Sequence, residues 1–220
     1  IINKSNIMGF YRGPNIVTSG LVYAMDAGSE RSYPGTGTTV TDLVGSNTGT
    51  LTNGVTYQSI NGGVFDFDGT DDYIDIGSQC PTGSFSLSSW VYKNGTGGWY
   101  AIFSAGTEIW FGLNSSGRIL AHVGGPLFQV SNVVDISTWH NCVLTWDGTT
   151  GIIYVDGTQV ASSTSLDNPI ATGYDIGRLS TSSQNYFDGK ISNLLLYNAK
   201  ALTQAEVTQN YNAQKSRFGL

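Results

Sequence analysis

The chain has 220 residues, 40% of them apolar and 12% aromatic, enough to bury the core of one sizeable domain without a metal or a disulfide framework. Only 12% are charged, the formal net charge is −6 and the ten Lys and Arg are scattered, which excludes the basic footprint of a nucleic-acid binder. The longest apolar runs are too short to cross a bilayer and no basic-then-apolar leader opens the chain, although numbering from Ile1 leaves an upstream segment and export open.

Residues 1–19 show no sustained period and contain Gly9, Gly13 and Pro14, so they read as an arm or tether. Phe10, Tyr11, Ile16 and Val17 are its apolar residues and are expected to supply assembly contacts that order on docking. From Leu21 onward, short β-branched or aromatic segments alternate with Gly, Asn, Asp and Ser clusters, the spacing of an all-β sandwich. Residues 64–67 and 73–76 flank Asp68-Gly69-Thr70-Asp71-Asp72. Phe85, Leu87 and Val91 share one face of a strand whose other face shows Trp90 and Tyr92, and the first face suits an inter-sheet core.

Residues 139–146 and 152–155 are separated by a turn beginning at Asp147-Gly148, and Asp156-Gly157 is a two-residue hairpin signal, so three consecutive antiparallel strands are expected. The nearly continuous apolar run 191–197 predicts a central strand covered on both sides. Thr203-Gln204-Ala205-Glu206 is a capping box with Leu202 and Val207 as its hydrophobic staple, predicting a helix from 203 to about 215. The expected organisation is an arm (1–19), a sandwich (20–202) and a helix and tail (203–220) packed on it, with Arg217-Phe218-Gly219-Leu220 free to reach a neighbour.

Candidate chemistry is sparse. Retaining glycoside hydrolysis needs two carboxylates about 5 Å apart; the chain has three Glu, of which Glu30 and Glu108 stand apart and Glu206 has a capping role. Asp71-Asp72 is the most conspicuous acidic pair, but neighbours on a strand point to opposite faces, so a turn or metal role is preferred. His122 and His140 are the two histidines, and His140, following Trp139 in a strand, reads as a hydrogen-bonded structural imidazole. Cys80 and Cys142 read as small buried thiols, with a single bridge as the alternative.

Thirteen Asp against three Glu fits turns, and also hard-cation ligation. No cofactor is implied; if a structural calcium exists, Asp26 near the first strand and Asp188 before the last are its expected ligands, tying the chain ends together. Trp99-Tyr100 follows a Gly-rich loop and Trp110 comes soon after, so Trp99, Tyr100 and Trp110 are the candidates to line a sugar platform. Core packing is the competing role for each of them.

In order along the chain stand Phe65-Asp66-Phe67-Asp68-Gly69-Thr70-Asp71-Asp72-Tyr73-Ile74, Phe85-Ser86-Leu87-Ser88-Ser89-Trp90-Val91, Trp139-His140-Asn141-Cys142-Val143-Leu144-Thr145-Trp146-Asp147-Gly148, Ile153-Tyr154-Val155-Asp156-Gly157 and Phe187-Asp188-Gly189-Lys190-Ile191. This series resembles the laminin-G-like, concanavalin A-like lectin/glucanase family over about residues 20–212. The resemblance implies a jelly-roll of two antiparallel sheets, and the glucanase acids are matched at no position. Gly20-Leu21-Val22-Tyr23-Ala24-Met25-Asp26-Ala27-Gly28 and the closing segment 209–220 resemble laminin-G-like structural proteins of tailed bacteriophages, notably those of cyanobacterial hosts.

The resulting expectation is a non-enzymatic virion protein, a capsid decoration or tail-fibre component. Its partners would be other virion proteins, a second copy of itself and a host-surface glycan, with neither nucleic acid nor an inserted membrane segment. A secreted, extracellular carbohydrate-binding module is the second reading and a glycoside hydrolase the last.

Overall fold

The computed structural model describes residues 14–77, 83–94, 97–130, 134–167, 169, 173–181 and 184–220. Alternating apolar and polar residues produce strands that each turn one face to a shared interior. In chain order these are β1 (Leu21–Asp26), β2 (Thr39–Thr41), β3 (Thr48–Thr52), β4 (Thr56–Gln58), β5 (Val64–Asp68), β6 (Tyr73–Gly77), β7 (Phe85–Lys93) and β8 (Trp99–Ala105). They continue as β9 (Ile109–Asn114), β10 (Ile119–Val123), β11 (Phe128–Val130), β12 (Trp139–Trp146), β13 (Gly151–Val155), β14 (Thr158–Ser163), β15 (Tyr174–Ile176) and β16 (Asp188–Asn198). The helix α1 (Gln204–Gln214) and a short 3-10 turn, Lys215–Phe218, close the chain.

The strands form two antiparallel sheets. The first runs β14-β13-β12-β7-β16-β5-β4, and the second β11-β10-β9-β8-β15-β6-β3-β2. The predicted central strand is β16. One of its edges lies along β7, while its other edge is divided between β5, opposite Asp188 to Ile191, and β1, opposite Asn193 to Tyr197. The expected three-stranded meander is β12-β13-β14, and Asp156 and Gly157 at its second turn both take positive φ, 51° and 77°, as a tight hairpin turn requires. By contrast β5 and β6 belong to different sheets, so residues 68–72 cross the end of the sandwich.

Phe85, Leu87 and Val91 of β7 meet Ile102, Phe103, Phe111 and Ile176 of the second sheet in one core, each fully buried or nearly so. Burying each such side chain contributes about 1.5–3 kcal/mol. Cys142 lies in that core as a free thiol, and burial pushes its ionisation well above the ordinary range. Cys80 lies outside the described residues.

The outer face of the first sheet is also covered. Thr203 caps α1, with Glu206 completing the predicted capping box, and Leu202 and Val207 join Ile16, Val17, Val143, Tyr154 and Tyr197 in a second cluster. Asn210 fixes the helix by accepting from Val17 N at 2.8 Å and donating to Tyr197 Oη at 3.0 Å.

The helix and tail were expected to pack on the sandwich with Arg217 to Leu220 free to reach a neighbour, but Arg217 and Phe218 are bound to the chain's own sandwich as well. Phe218 stacks on Trp90 with ring centroids 4.2 Å apart and tilts against Trp139 at 4.7 Å. Arg217 donates to Asp26 Oδ1 at 2.7 Å and to the carbonyls of Gly63 and Asn61 at 2.6 and 2.5 Å. The physical reason is that Trp90 sits on the outer face of a central strand, where Phe218 and Tyr211 of α1 stack on it and keep its ring from water. Gly63 is required here: its φ is +133°, and a Cβ would stand 2.3 Å from the Ala27 carbonyl oxygen. No helix among the described residues is long and apolar enough to cross a membrane.

Candidate functional site

The second sheet leaves part of its outer face exposed. In β9, Ile109, Phe111 and Leu113 point into the core, so Trp110, Gly112 and Asn114 point outward. Trp99 of β8 lies opposite Asn114, and Ala101 lies opposite Gly112. The pair between the two indoles therefore carries almost no side chain, and the rings lean together over it with centroids 5.5 Å apart at 45°. Gly112 is also enforced by packing, since a Cβ there would stand 2.2 Å from the Tyr100 carbonyl oxygen.

Trp99 remains 43% exposed. His122, the register partner of Trp110, joins Thr107, Leu127, Thr181 and Asn185 around an open hollow beside the two rings. Aromatic surface ringed by hydroxyl, amide and imidazole groups with little charge is the chemistry that stacks on and hydrogen-bonds to neutral sugars.

Of the three aromatic residues picked from the sequence, the structure brings Trp99 and Trp110 together and separates Tyr100 from them. Tyr100 is buried and packs edge-on against Phe187 at 6.4 Å. Strand alternation is the cause: neighbours on β8 face opposite sides, so Trp99 outward puts Tyr100 inward.

Carboxylates also occupy this face. Asp75 and Asp175 are register partners on β6 and β15. Asp175 is buried and accepts from Arg178 Nε at 2.9 Å; burial pushes its carboxyl up, with Arg178 pulling the other way. Asp75 accepts from Gly77 N at 2.8 Å, and the Arg178 guanidinium lies 3.4 Å from the Tyr73 ring centroid. Asp175 is thus tied into the sheet end by Arg178, while Asp75 is exposed and closes a local turn.

His140 Nδ1 donates to Asp156 Oδ2 at 2.7 Å and Nε2 accepts from Asp135 N at 3.3 Å, which fixes the Nδ1-protonated tautomer and a structural role. Glu206 is tied to the helix cap and to Lys200 Nζ at 2.6 Å. Lys93, which the sequence reading passed over, is fully buried and donates to the Ser115 carbonyl at 3.0 Å; burial lowers its pKa, with Asp188 opposing.

The two aspartates expected to share a calcium are not placed to do so. Asp26 is opposite Asn193 while Asp188 begins β16, a separation of about 16 Å along the strand. Asp26 is buried beneath Arg217 and also accepts from Gly28 N at 2.9 Å, so it holds the tail. Ile16 and Val17, expected to contact other proteins, are buried in the chain's own second cluster, with Val17 fixed by Asn210 and Tyr197. Phe10 and Tyr11 lie outside the described residues.

A family profile described as the concanavalin A-like lectin/glucanases superfamily matches residues 68–208. No curated protein sequence matches the chain. Among solved structures, Trypanosoma rangeli sialidase aligns with a TM-score of 0.70 at 16% identity, covering 93% of this chain and 35% of the sialidase. The chain thus spans about a third of that enzyme's length. Domain 4 of AbnA, an extracellular arabinanase of Geobacillus stearothermophilus, was solved with arabinotriose and aligns with a TM-score of 0.68 at 17% identity, covering 87% of this chain and 98% of that domain. The receptor binding domain of botulinum neurotoxin type G aligns with a TM-score of 0.69 at 16% identity, covering 89% and 51% respectively. At these identities the likeness is one of fold.

Proposed function

The chain belongs to the concanavalin A-like lectin/glucanase superfamily, and from that premise we propose that it is a non-enzymatic recognition module binding a neutral glycan across Trp99 and Trp110. The observation that carries this reading is the indole pair on the outer face of the second sheet, beside a hollow edged by His122, Thr107, Thr181 and Asn185. Two indole faces with a few hydrogen bonds give a weak single-site affinity, about 1 mM to 0.1 mM. Display in many copies converts such a site into firm attachment through effective concentration. That arithmetic favours a repetitive surface, and the phage-like segments at Gly20 to Gly28 and 209–220 support a virion as the surface, a capsid decoration or tail component. Attachment through residues 1–13 is part of this proposal.

The arabinotriose complex of the AbnA domain and the receptor-binding role named for the neurotoxin domain lend weight to recognition on this fold. The non-catalytic part rests on Asp175 being paired with Arg178 and Glu206 with the helix cap and Lys200. The test is an array of neutral oligosaccharides probed with the whole chain and with Trp99→Ala, followed by a product assay on each bound sugar. Binding lost in the variant, without sugar release, supports the proposal. Sugar release that stops in Asp175→Asn would replace it with a hydrolase.

A further inference from the structure

The hollow beside the indole pair is more apolar than a fully hydroxylated sugar requires, and the excess lies in its two walls. On its floor, Trp110 of β9 is paired with Ser104 of β8 on one side and with His122 of β10 on the other. Leu127 rises at one side, just ahead of β11, and Leu179 at the other, in the β15–β16 connection that folds back over Ser104. From β11 to β8 is three strand spacings, about 14 Å. The hollow holds about 460 Å³, within the range of small-ligand sites.

Both walls are fixed before any ligand arrives. Ser104 is fully buried, and its Oγ donates to the Arg178 carbonyl at 2.8 Å and accepts from Ser180 N at 2.9 Å, so one hydroxyl clasps the chain on either side of Leu179. Leu179 N donates to the Gln184 carbonyl at 2.9 Å, and Ala101 N donates to the Asn185 carbonyl at 2.8 Å, which docks the far end of the same connection on β8. On the opposite side Phe128 points into the core, and strand alternation turns Leu127 outward, where it stays 42% exposed. Six large apolar side chains are exposed among the described residues, and two of them, Trp99 and Leu127, border this one hollow.

We propose that the hollow selects neutral sugars that carry a methyl group, with the methyl seated against Leu127. A hydroxyl pressed against a leucine gives up its bonds to water and finds no partner there, whereas a methyl removes further apolar surface from water. Leu127 is the wall with surface left to cover, since Leu179 is already half-buried. His122, Thr181 and Asn185 remain to hydrogen-bond the ring hydroxyls, and no charged side chain among the described residues lines the hollow to pair with an acidic sugar. This inference rests on the reading of Trp99 and Trp110 as a sugar platform and adds the class of sugar. Two kinds present such a methyl: an acetamido sugar, and a deoxyhexose whose methyl replaces the hydroxymethyl group.

The experiment is a neutral array of matched pairs, acetamido sugar against its hydroxyl counterpart and deoxyhexose against its parent hexose, probed with the full chain, Trp99→Ala and Leu127→Asn. In one kind of pair the methyl-bearing member should bind about tenfold more tightly, the worth of one well-placed methyl, and which kind it is names the source. Leu127→Asn changes an exposed side chain, so it should keep the parent Tm while bringing that ratio to within about twofold. Saturation-transfer NMR on the preferred sugar should show its methyl protons as the most strongly saturated. Sugars that bind through Trp99 with no preference for the methyl-bearing member would overturn this inference and leave the platform standing. A preference that survives in Leu127→Asn would overturn it as well, and an array on which nothing binds would overturn both the inference and the platform.

Discussion

Replacing Arg217 by Ala removes the contact that ties the last residues of the chain to its first strand, 191 positions away in sequence. Three donated hydrogen bonds disappear, to Asp26 Oδ1, the Gly63 carbonyl and the Asn61 carbonyl, and Asp26 is left buried with Gly28 N as its remaining donor. Breaking one partner of a buried pair costs about 3–5 kcal/mol. The Arg217 side chain is 16% exposed, so water reaches the pair and the low end applies, about 3 kcal/mol. For a domain of this size that corresponds to a fall in Tm of about 6–12 °C. Urea unfolding followed by tryptophan fluorescence reads it directly, because the same tail carries Phe218 onto Trp90. Arg31→Ala, on an exposed arginine, serves as the control and should stay within about 0.5 kcal/mol of the parent. A loss for Arg217→Ala no larger than that control would refute the clamp.

Phe218→Ala should cost about 3 kcal/mol through the ring stack on Trp90 and the contact with Trp139, measured by the urea midpoint; a change under about 1 kcal/mol would mean the tail does not cover that face. Glu206→Gln should cost about 1 kcal/mol at neutral pH by weakening the capping box and the Lys200 pair. Partial burial raises the Glu206 pKa, but Lys200 and Thr203 outweigh it and hold the carboxyl below its ordinary value of 4.5. Its stabilisation is therefore present above 4.5 and lost as pH falls through the lowered folded value, so the Tm gap between parent and variant should close in acid. A gap independent of pH would refute that assignment.

Much of the sandwich was legible because its signals are local. Period-two alternation in β7, the Asp156-Gly157 turn and the capping box at Thr203 each depend on residues within a few positions of one another. The same alternation contained the correction to the aromatic site, since Trp99 and Tyr100 are adjacent on one strand and cannot share a face. What lay beyond reach was long-range. Nothing near Asp26 announces Arg217, and nothing near Ile16 and Val17 announces that Asn210 and Tyr197 will bury them. Composition around Asp68 to Asp72 suggested a turn; that the turn joins two sheets and leaves Asp72 Oδ1 unpaired follows only from the topology.

The first sheet is packed inward on the core and, on its outer face, against α1, the tail and Ile16, and the proposed recognition surface is the exposed part of the second sheet's outer face. The 5.5 Å indole pair there is created by the empty Ala101 and Gly112 positions between the rings, so it can be removed without touching the core. The most direct measurement is calorimetric titration of an array-selected neutral oligosaccharide into the parent chain and into the Trp99→Ala, Trp110→Ala double variant, with Tm recorded for both. The account predicts saturable binding by the parent and none detectable in a double variant whose Tm is nearly unchanged; binding that persists in that folded variant would contradict it.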